Sequence, residues 1–354
     1  MSSSPVLAIG PANYAGQAYE WAEAVNRNLP AAAWSFARGP VRASGFGFPT
    51  HHSIHPIPFY VGVGRGMRSR WLLRGATHVA VDGYEPFYRY PHAPTVLRDM
   101  RLLERQGKQV ALIAHGTDVR DPVQHRERLR WSFFNEGDDS WFTSLASSTG
   151  RNRREALELG CPLFVSTPDL LLDQPTATWL PLSIDVRSWE SGAPVLERAV
   201  PRVLHLPSRR HPPIKGTQYV DPVMRGLERR GLIEYVSPES VPHREVKQLV
   251  HTVDIVVDQI LTGSYGVAAV EAMAAGRVVI GGLAPDVSAR MPDVPGLVDA
   301  DPLTLEPRLM EILDDREQAR ARARGNLDFV RRWHDGRAAA AALESYLGLR
   351  SAAT

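Results

Sequence analysis

Short apolar runs alternate with longer helix-like segments along most of this chain of 354 residues. Apolar runs of this length, bounded by glycine, proline and polar residues, are typical of buried strands. The clearest candidates are Val6–Ile9, Ala31–Ala37, His78–Val81, Gln109–Ala114, Leu163–Ser166, Thr178–Pro181, Arg202–Leu206, Leu232–Val236, Asp254–Gln259 and Val278–Ile280. The alternation predicts an α/β fold with parallel strands, in which ligands bind beyond the carboxyl ends of the strands.

The length of the chain favours two domains. Residues from about Leu182 to Arg202 show no clear periodicity and include Ser-Gly-Ala-Pro, which makes them the best linker candidate. We predict a first domain over residues 1–185, a linker over 186–201 and a second domain over 202–335. An Ala-rich helix, Gly336–Leu347, opens the terminal segment 336–354.

The composition excludes several classes of function. Lys plus Arg is 41 and Asp plus Glu is 39, so the net charge of +2 gives no reason to expect nucleic acid. The single cysteine, Cys161, excludes a disulfide framework and a cysteine zinc cluster, and it suits a reducing cytosol. No signal peptide is evident, and no run reaches the roughly 20 apolar residues of a membrane span. We expect a cytoplasmic, bacterial enzyme without a metal centre.

Arginines surround the apolar run Trp71–Leu73, on both sides of it. This arrangement suits an anionic acceptor or a membrane surface, so peripheral membrane contact stays open. An ordinary helix with a solvated face is the alternative.

One carboxylate stands out on an otherwise apolar helix, predicted over Val267–Ala275 and ended by Gly276. Glu271 lies within this helix, where a carboxylate must be paired, hydrogen-bonded or placed to meet a ligand. Gly263, Ser264 and Gly266 precede the helix and leave its first backbone N–H groups uncrowded, which favours an anion. The stretch predicts a phosphate-bearing ligand that also carries hydroxyl groups.

Other candidate ligand residues follow predicted strands. The loop Gly10–Gln17, which contains Gly16, is either a ligand loop or a turn and helix cap. His115-Gly-Thr-Asp118 follows the strand Gln109–Ala114, where the glycine allows close approach of a ligand; a hydrogen-bonded turn is the alternative.

Two further loops have a distinctive composition. Tyr84–Tyr90 is rich in aromatic residues, including Tyr84, Phe87 and Tyr88, which suit acceptor contact or local packing. Arg209, Arg210 and Lys215 crowd the loop after Arg202–Leu206, where cations neutralise phosphate; a solvated basic loop is the alternative.

Together these segments resemble retaining glycosyltransferases of the GT-B fold, the "group 1" or family-4 class. Ser208-Arg-Arg with Lys215-Gly-Thr is similar to that family's basic diphosphate loop, and Gly263–Gly276 is similar to its Glu-x7-Glu segment. His115-Gly-Thr-Asp118 is similar to its His-Gly-x-Asp, and Leu180–Asp185 to the segment before the interdomain hinge. The resemblance implies two Rossmann-like domains that face each other across a cleft. It also implies that the C-terminal helix crosses back to the first domain.

The resemblance also implies roles for individual residues. Glu271 would bind the ribose of a nucleotide-diphosphate sugar, of UDP or GDP type. Arg209 or Arg210 and Lys215 would hold the diphosphate, with N–H groups from Ser264, Tyr265 and Gly266. His115 would contact the donor sugar from the first, acceptor-binding domain, which would take a glycan, lipid-linked or natural-product acceptor. Retention is ascribed in this family to attack on the same face, and neither metal nor cofactor is required.

One position departs from the family pattern. The first glutamate of Glu-x7-Glu, which contacts the donor sugar, falls on Gly263. Asp258 and Gln259 lie just before it and are candidates to substitute. The alternatives to a glycosyltransferase are therefore a non-catalytic nucleotide-sugar-binding protein and a nucleotide-sugar epimerase on the same fold.

Overall fold

The computed structural model describes residues 4–38, 47–54, 69–87, 95–207 and 211–349. These residues form two compact units, each with its own parallel sheet and apolar core. Unit 1 contains the described residues up to Arg120, Ser147–Ser183, and the described residues from Gly336 onward. Unit 2 contains Asp121–Ala146 and Ile184–Asp335. The predicted α/β class with parallel strands is confirmed.

The strands of unit 1 are β1 (Val6–Gly10), β2 (Ala32–Arg38), β3 (His52–Ile54), β4 (His78–Asp82), β5 (Gln109–Ala114), β6 (Leu163–Val165) and β7 (Thr178–Trp179). They form one parallel sheet in the order β3-β2-β1-β4-β5-β6-β7. The direction in which strands are added reverses at β1, which has β2 on one side and β4 on the other. A reversal of this kind opens a crevice beyond the carboxyl ends of the strands, here β1 and β4.

The strands of unit 2 are β8 (Arg202–His205), β9 (Glu234–Val236), β10 (Ile255–Val257), β11 (Val278–Gly281) and β12 (Val298–Asp299). They form a parallel sheet in the order β12-β11-β10-β8-β9. The order reverses at β8, where the chain passes first to β9 and later to β10, so the carboxyl ends of β8 and β10 border the corresponding crevice.

The helices lie between the strands along the chain. They are α1 (Gln17–Asn28), α2 (Val96–Arg105), α3 (Pro122–Arg128), α4 (Asp139–Leu159), α5 (Val186–Trp189), α6 (Thr217–Arg229), α7 (His243–His251), α8 (Val267–Ala274), α9 (Pro285–Ser288), α10 (Leu305–Asp314), α11 (Arg316–Trp333) and α12 (Arg337–Leu343). Residues 69–73 are also helical, and short 3-10 turns cover Tyr14–Gly16, Phe133–Asn135 and Pro168–Leu171. Among the described residues, no helix is long and apolar enough to cross a membrane.

The sheet of unit 1 buries both of its faces, because alternate residues of each strand point to opposite sides. On β1, Leu7 and Ile9 join Trp21 of α1 in one core, whereas Ala8 joins Val79 and Val81 of β4 in the other. Burial on both faces explains why these strands are continuous apolar runs rather than alternating ones.

Residues 121–146 pack into unit 2, although the predicted first domain extends to residue 185. Phe133 and Phe134 are fully buried in the core of unit 2, and the Phe133 N–H donates to the Leu261 carbonyl at 3.2 Å. The predicted boundary is therefore wrong for this segment, because its aromatic side chains complete the other core. Helix α3 ends at Arg128 within this segment, because the backbone of Leu129 is extended.

The predicted linker, residues 186–201, is also part of unit 2. Trp189 and Leu196 are buried, and the Leu196 N–H donates to Asp254 Oδ1 at 2.7 Å. Asp254 Oδ2 accepts from the Arg202 N–H at 2.9 Å. After the short helix α5, residues 190–201 form no helix or strand, and the Asp254 carboxylate holds their backbone instead.

Residues 336–349 belong to unit 1. Leu343 and Leu347 are buried in the same core as Trp21. The Tyr346 hydroxyl donates to the Gln109 carbonyl at 3.1 Å, which ties the end of the chain to the start of β5.

Candidate functional site

Two adjacent loops of unit 2 carry most of the predicted nucleotide-sugar ligands. One follows β8 and leads to α6, and the other follows β10 and leads to α8. β8 and β10 are paired, with Val257 opposite His205, so the loops leave the sheet side by side. Lys215 lies on the first loop, and Gly263–Gly266 lie on the second.

Helix α8 begins with accessible backbone N–H groups. Its cap residue is Gly266, which has no side chain to cap the helix, and the first turn holds no acidic residue. Gly266, Val267 and Ala268 are partly exposed, whereas Ala269–Ala274 are buried. Because unpaired N–H groups and the helix dipole both favour negative charge, this end of α8 can hold an anionic group such as a phosphate.

Lys215 is held next to the start of α8 by a buried carboxylate. Its Nζ lies 2.7 Å from Asp258 Oδ1, and the Gly266 N–H lies 3.4 Å from Asp258 Oδ2. The Asp258 side chain is 1% exposed and the Lys215 side chain 13%. Asp258 therefore orients a cation towards the anion-binding end of α8, and both of its oxygens already have partners.

Glu271 is buried and paired with a histidine. Its Oε1 lies 2.9 Å from His243 Nε2, at the start of α7. Burial raises the pKa of the Glu271 carboxyl above its ordinary value, although His243 and Lys215 act in the opposite direction. The prediction that this carboxylate is not a solvated position is confirmed. Among the described residues, none hydrogen-bonds Oε2, which leaves that oxygen as an acceptor for a ligand.

His205 ties together the elements around the Lys215 loop. Its Nδ1 donates to the Val257 carbonyl at 2.9 Å, and its Nε2 lies 3.0 Å from Thr217 Oγ1. Burial lowers the pKa of His205 to about 4, so the imidazole is neutral at physiological pH and Nε2 accepts from the hydroxyl. This bond fixes the start of α6, directly after Lys215.

Gly263 has a backbone conformation that explains why no glutamate occupies this position. Its φ is +68°, in the left-handed region that disfavours side chains. A Cβ atom built there would lie 2.8 Å from Leu129 Cδ1 and 3.2 Å from Ala284 Cβ. Leu129, from the 121–146 segment, thus fills the space that a side chain at 263 would need.

Replacing Gly263 by alanine is expected to lower the free energy of unfolding by about 2–4 kcal/mol, since the left-handed backbone and the contact with Leu129 both oppose a Cβ atom. Gly231 provides a matched control, because its φ is +70° and its Cβ position has nothing within 4 Å. Gly231→Ala should cost only about 1 kcal/mol. Urea denaturation measures both, and equal losses in the two variants would contradict the packing account.

Ser264 and Tyr265 are placed differently from each other. Ser264 is fully buried, and its Oγ has no hydrogen-bond partner within the described chain. The Tyr265 side chain is also buried, with its hydroxyl 3.2 Å from His334 Nε2, so its ring is not available to a ligand. Arg209 and Arg210 lie outside the described residues.

The predicted residues of unit 1 gather where β1, β4 and β5 end. His115 follows β5, and its Nε2 lies 3.2 Å from Oδ2 of Asp82, the last residue of β4. Trp21 stacks on the imidazole with 5.4 Å between ring centroids, and Tyr14 meets it edge-on at 5.3 Å. The ring is therefore held on several sides, and its side chain is 9% exposed.

Asp118 and Gly16 shape the neighbouring backbone. Asp118 accepts from the N–H groups of His115 and Gly116, at 2.8 and 2.6 Å, so the turn weighed as an alternative is present. Gly16 caps α1 with a φ of +75°. Asp118 thus holds the backbone of the turn after β5, and Gly16 allows the turn that starts α1.

Tyr84 and Phe87, predicted as acceptor contacts, are core residues. They are 6% and 1% exposed, and both belong to the apolar cluster that contains Val81. Phe87 meets Phe36 edge-on at 6.0 Å. The acceptor-contact interpretation is wrong for these two side chains, because local packing buries them. Tyr88 lies outside the described residues.

Three pairings at the candidate site emerge only in the structure. Asp82 pairs with His115, His243 pairs with Glu271, and Asp258 holds Lys215. The signal for Asp82 was present, since it ends the apolar run His78–Val81 just as His115 ends Gln109–Ala114. No local pattern links His243 to Glu271, because 28 residues separate them.

No protein-family model matches the chain, and no curated protein matches it. Comparison with solved structures is informative. Sucrose-phosphate synthase from Thermosynechococcus elongatus is 13% identical, with a TM-score of 0.62 over 97% of this chain and 98% of that chain. An alpha-glucosyltransferase in complex with UDP-glucose and DNA is 10% identical, with a TM-score of 0.63 over 98% of this chain and all of the other.

A third similar structure is a candidate UDP-N-acetylglucosamine 2-epimerase from Listeria monocytogenes. It is 12% identical, with a TM-score of 0.59 over 98% of this chain and 97% of that chain. At these identities the likeness shows the fold alone. The chain has the GT-B fold, with two Rossmann-like domains, as the sequence predicts.

Proposed function

We propose that the protein is a glycosyltransferase that moves a sugar from a nucleotide-diphosphate sugar to an acceptor hydroxyl. The arrangement in unit 2 carries the proposal. Asp258 ties Lys215 to the start of α8, and Glu271 lies further along the same helix. One helix thus combines an anion-binding end, supported by a cation, with a buried carboxylate that has a free acceptor oxygen.

The anion-binding end supplies the chemistry of bond cleavage. Breaking the bond between a sugar and a diphosphate builds negative charge on the departing phosphate. Lys215 and the first N–H groups of α8 are fixed before the reaction, so they stabilise that charge without reorganising. Arg209 and Arg210 are proposed to supply further positive charge around the departing phosphate, as the basic loop of the sequence suggests. No metal ion is then required for the transfer.

Glu271 is proposed to orient the nucleotide. Its Oε1 is occupied by His243, so Oε2 would accept from a ribose hydroxyl. A hydrogen bond to a charged acceptor contributes about 1.5–3 kcal/mol. His115, with Asp118 shaping its turn, is proposed to contact the donor sugar, and unit 1 is proposed to bind the acceptor. Gly16, which starts α1, is proposed to border the donor.

We further propose retention of the anomeric configuration, with the departing phosphate accepting the proton of the attacking hydroxyl. This route needs no pair of carboxylates of the kind that glycosidases use. The alpha-glucosyltransferase of similar fold was solved with UDP-glucose, which makes UDP the first nucleotide to test.

Two observations favour second candidates. Gly263 lacks the side chain expected to contact the donor sugar, which would suit a protein that binds nucleotide sugars without transferring them. The likeness to a candidate 2-epimerase makes nucleotide-sugar epimerisation on the same fold another candidate function. Product formation without an acceptor would identify an epimerase, because that reaction needs no second substrate.

A thermal-shift panel of UDP-, GDP- and ADP-linked sugars tests the proposal. A correct donor at about 100 times its Kd adds about 2.7 kcal/mol of stability, which raises Tm by about 5–10 °C for units of this size. NMR of the product with an acceptor then reads the anomeric configuration, and EDTA tests for a metal requirement. No shift with any nucleotide sugar would contradict the proposal, and a shift without turnover would favour the binding protein.

A further inference from the structure

The carboxylate of Asp82 is the most completely enclosed charged group beside His115. Its side chain is fully buried. Oδ1 accepts from the Ala12 N–H at 2.7 Å, and Oδ2 accepts from the Asn13 N–H at 2.7 Å. His115 Nε2 is a third partner, 3.2 Å from Oδ2. One side chain thus joins the loop after β1, the end of β4 and the residue after β5.

This arrangement determines which nitrogen of His115 carries the proton. Backbone N–H groups only donate, so both Asp82 oxygens act as acceptors, and Nε2 must donate to Oδ2. A neutral imidazole with its hydrogen on Nε2 has its lone pair on Nδ1. Within the described residues, Nδ1 has no hydrogen-bond partner.

The orientation of the ring is fixed as well. Trp21 lies nearly parallel to the imidazole, with an interplanar angle of 24°, and Tyr14 meets it at 82°. Asp118 holds the backbone of His115 through its N–H. A ring fixed by packing and by a hydrogen bond on one nitrogen leaves the other nitrogen as a preorganised acceptor.

We propose that Asp82 is a positioning residue, which sets the tautomer of His115 and presents Nδ1 as the acceptor for a hydroxyl of the sugar ligand. The identity of that ligand rests on the proposed function. The tautomer rests only on the contacts of unit 1. A purely structural Asp82 would anchor the loop after β1 and have no effect on ligands.

The tautomer can be measured in the unaltered protein. Long-range ¹H–¹⁵N correlation spectra at about pH 8, where an ordinary histidine is neutral, distinguish a protonated nitrogen from one with a lone pair. The His115→Gln variant identifies the signals of His115 by their loss. We expect hydrogen on Nε2 and a lone pair on Nδ1. Hydrogen on Nδ1, or a solvent-averaged mixture, would overturn the proposal whether or not the protein transfers sugars.

The variant Asp82→Asn tests the consequence for catalysis. Its amide NH2 would donate to Nε2 and move the ring hydrogen to Nδ1, which then could not accept from a hydroxyl. We expect kcat for sugar transfer to fall about 10-fold, as is expected when one hydrogen bond to the sugar is lost in the transition state, while the affinity for the nucleotide alone stays unchanged.

Asp99→Asn is the matched control. Asp99 is also fully buried in unit 1, where its Oδ2 accepts from the Phe87 N–H, but it does not contact His115. We expect it to lower stability without changing the tautomer or kcat. Two results would assign Asp82 a structural role only. One is an equal loss of kcat in Asp82→Asn and Asp99→Asn. The other is that Asp82→Glu, which keeps a carboxylate, has neither the tautomer nor the kcat of the unaltered protein.

Discussion

Replacing Glu271 by glutamine is expected to weaken nucleotide-sugar binding about 10- to 100-fold without lowering the stability of the fold. The affinity falls because a neutral amide is a weaker acceptor for a ribose hydroxyl than a carboxylate. The fold tolerates the change because glutamine has the same shape, and its amide oxygen can still accept from His243. Calorimetric titration with the donor measures the first effect, and urea denaturation measures the second.

The pH dependence of stability sharpens this prediction. Burial raises the folded-state pKa of Glu271 above its ordinary value of 4.5, so the folded chain binds this proton more tightly than the unfolded chain. Glu271 therefore stabilises the fold fully at pH values below 4.5, and this stabilisation is lost as the pH rises through the folded-state pKa. The difference in stability between Glu271→Gln and the unaltered protein should thus shift in favour of glutamine from pH 4 to pH 8.

An exposed carboxyl of the same unit serves as control for Glu271. Glu306 forms a surface ion pair with Arg230, and both side chains are about half exposed. Glu306→Gln is expected to change neither ligand affinity nor stability by a measurable amount. Unchanged donor affinity in Glu271→Gln would remove this residue from the proposed ligand site.

Replacing Lys215 by methionine is expected to abolish measurable sugar transfer and to lower the free energy of unfolding by about 3 kcal/mol. The stability loss arises because Asp258, 1% exposed, would be left as a buried carboxylate without its cation. The loss of transfer arises because the charge on the departing phosphate would lack its fixed cation.

The double variant Lys215→Met with Asp258→Asn separates the two effects. Removing both charges should restore much of the stability, since no unpaired charge is then buried. Transfer should remain absent. A double-variant cycle by urea denaturation gives the coupling between the two residues, and a steady-state assay gives kcat/KM. Turnover near that of the unaltered protein in the double variant would contradict the role of Lys215.

The strands were the part of the fold most accessible from sequence. The run Gln109–Ala114 is apolar except at its first residue, so its bounds coincide with those of β5. Helix α8 was accessible for the same reason, with Gly276 after its end. Local composition is sufficient where burial on both sides leaves few alternatives.

Assignment of segments to cores was not accessible in the same way. Nothing local indicates that Phe133 and Phe134 complete the core of unit 2 rather than the core of the unit that precedes them. The aromatic residues Tyr84 and Phe87 were equally ambiguous, because packing and ligand contact call for the same side chains. These choices depend on contacts between residues far apart in sequence.

In the candidate site, single residues with unusual surroundings could be predicted, but their partners could not. Glu271 was conspicuous because a carboxylate on an apolar helix is costly to bury alone. Its partner His243 is an ordinary residue at the start of another helix, and only the fold brings the two together. The sequence shows that Gly263 stands where the family has a glutamate. The reason is visible only in the structure, where the backbone at Gly263 is left-handed and Leu129 fills the adjacent space.

The division of the chain between the units has a consequence for its synthesis on the ribosome. Residues 121–146 emerge before the rest of unit 2, so the core that buries Phe133 and Phe134 cannot form until residues 184–335 follow. Strand β1 of unit 1 is made before any strand of unit 2, yet the core of unit 1 includes Leu343 and Leu347, which follow every residue of unit 2. The synthesis of each unit is interrupted by residues of the other, and the unit begun first is the one finished last.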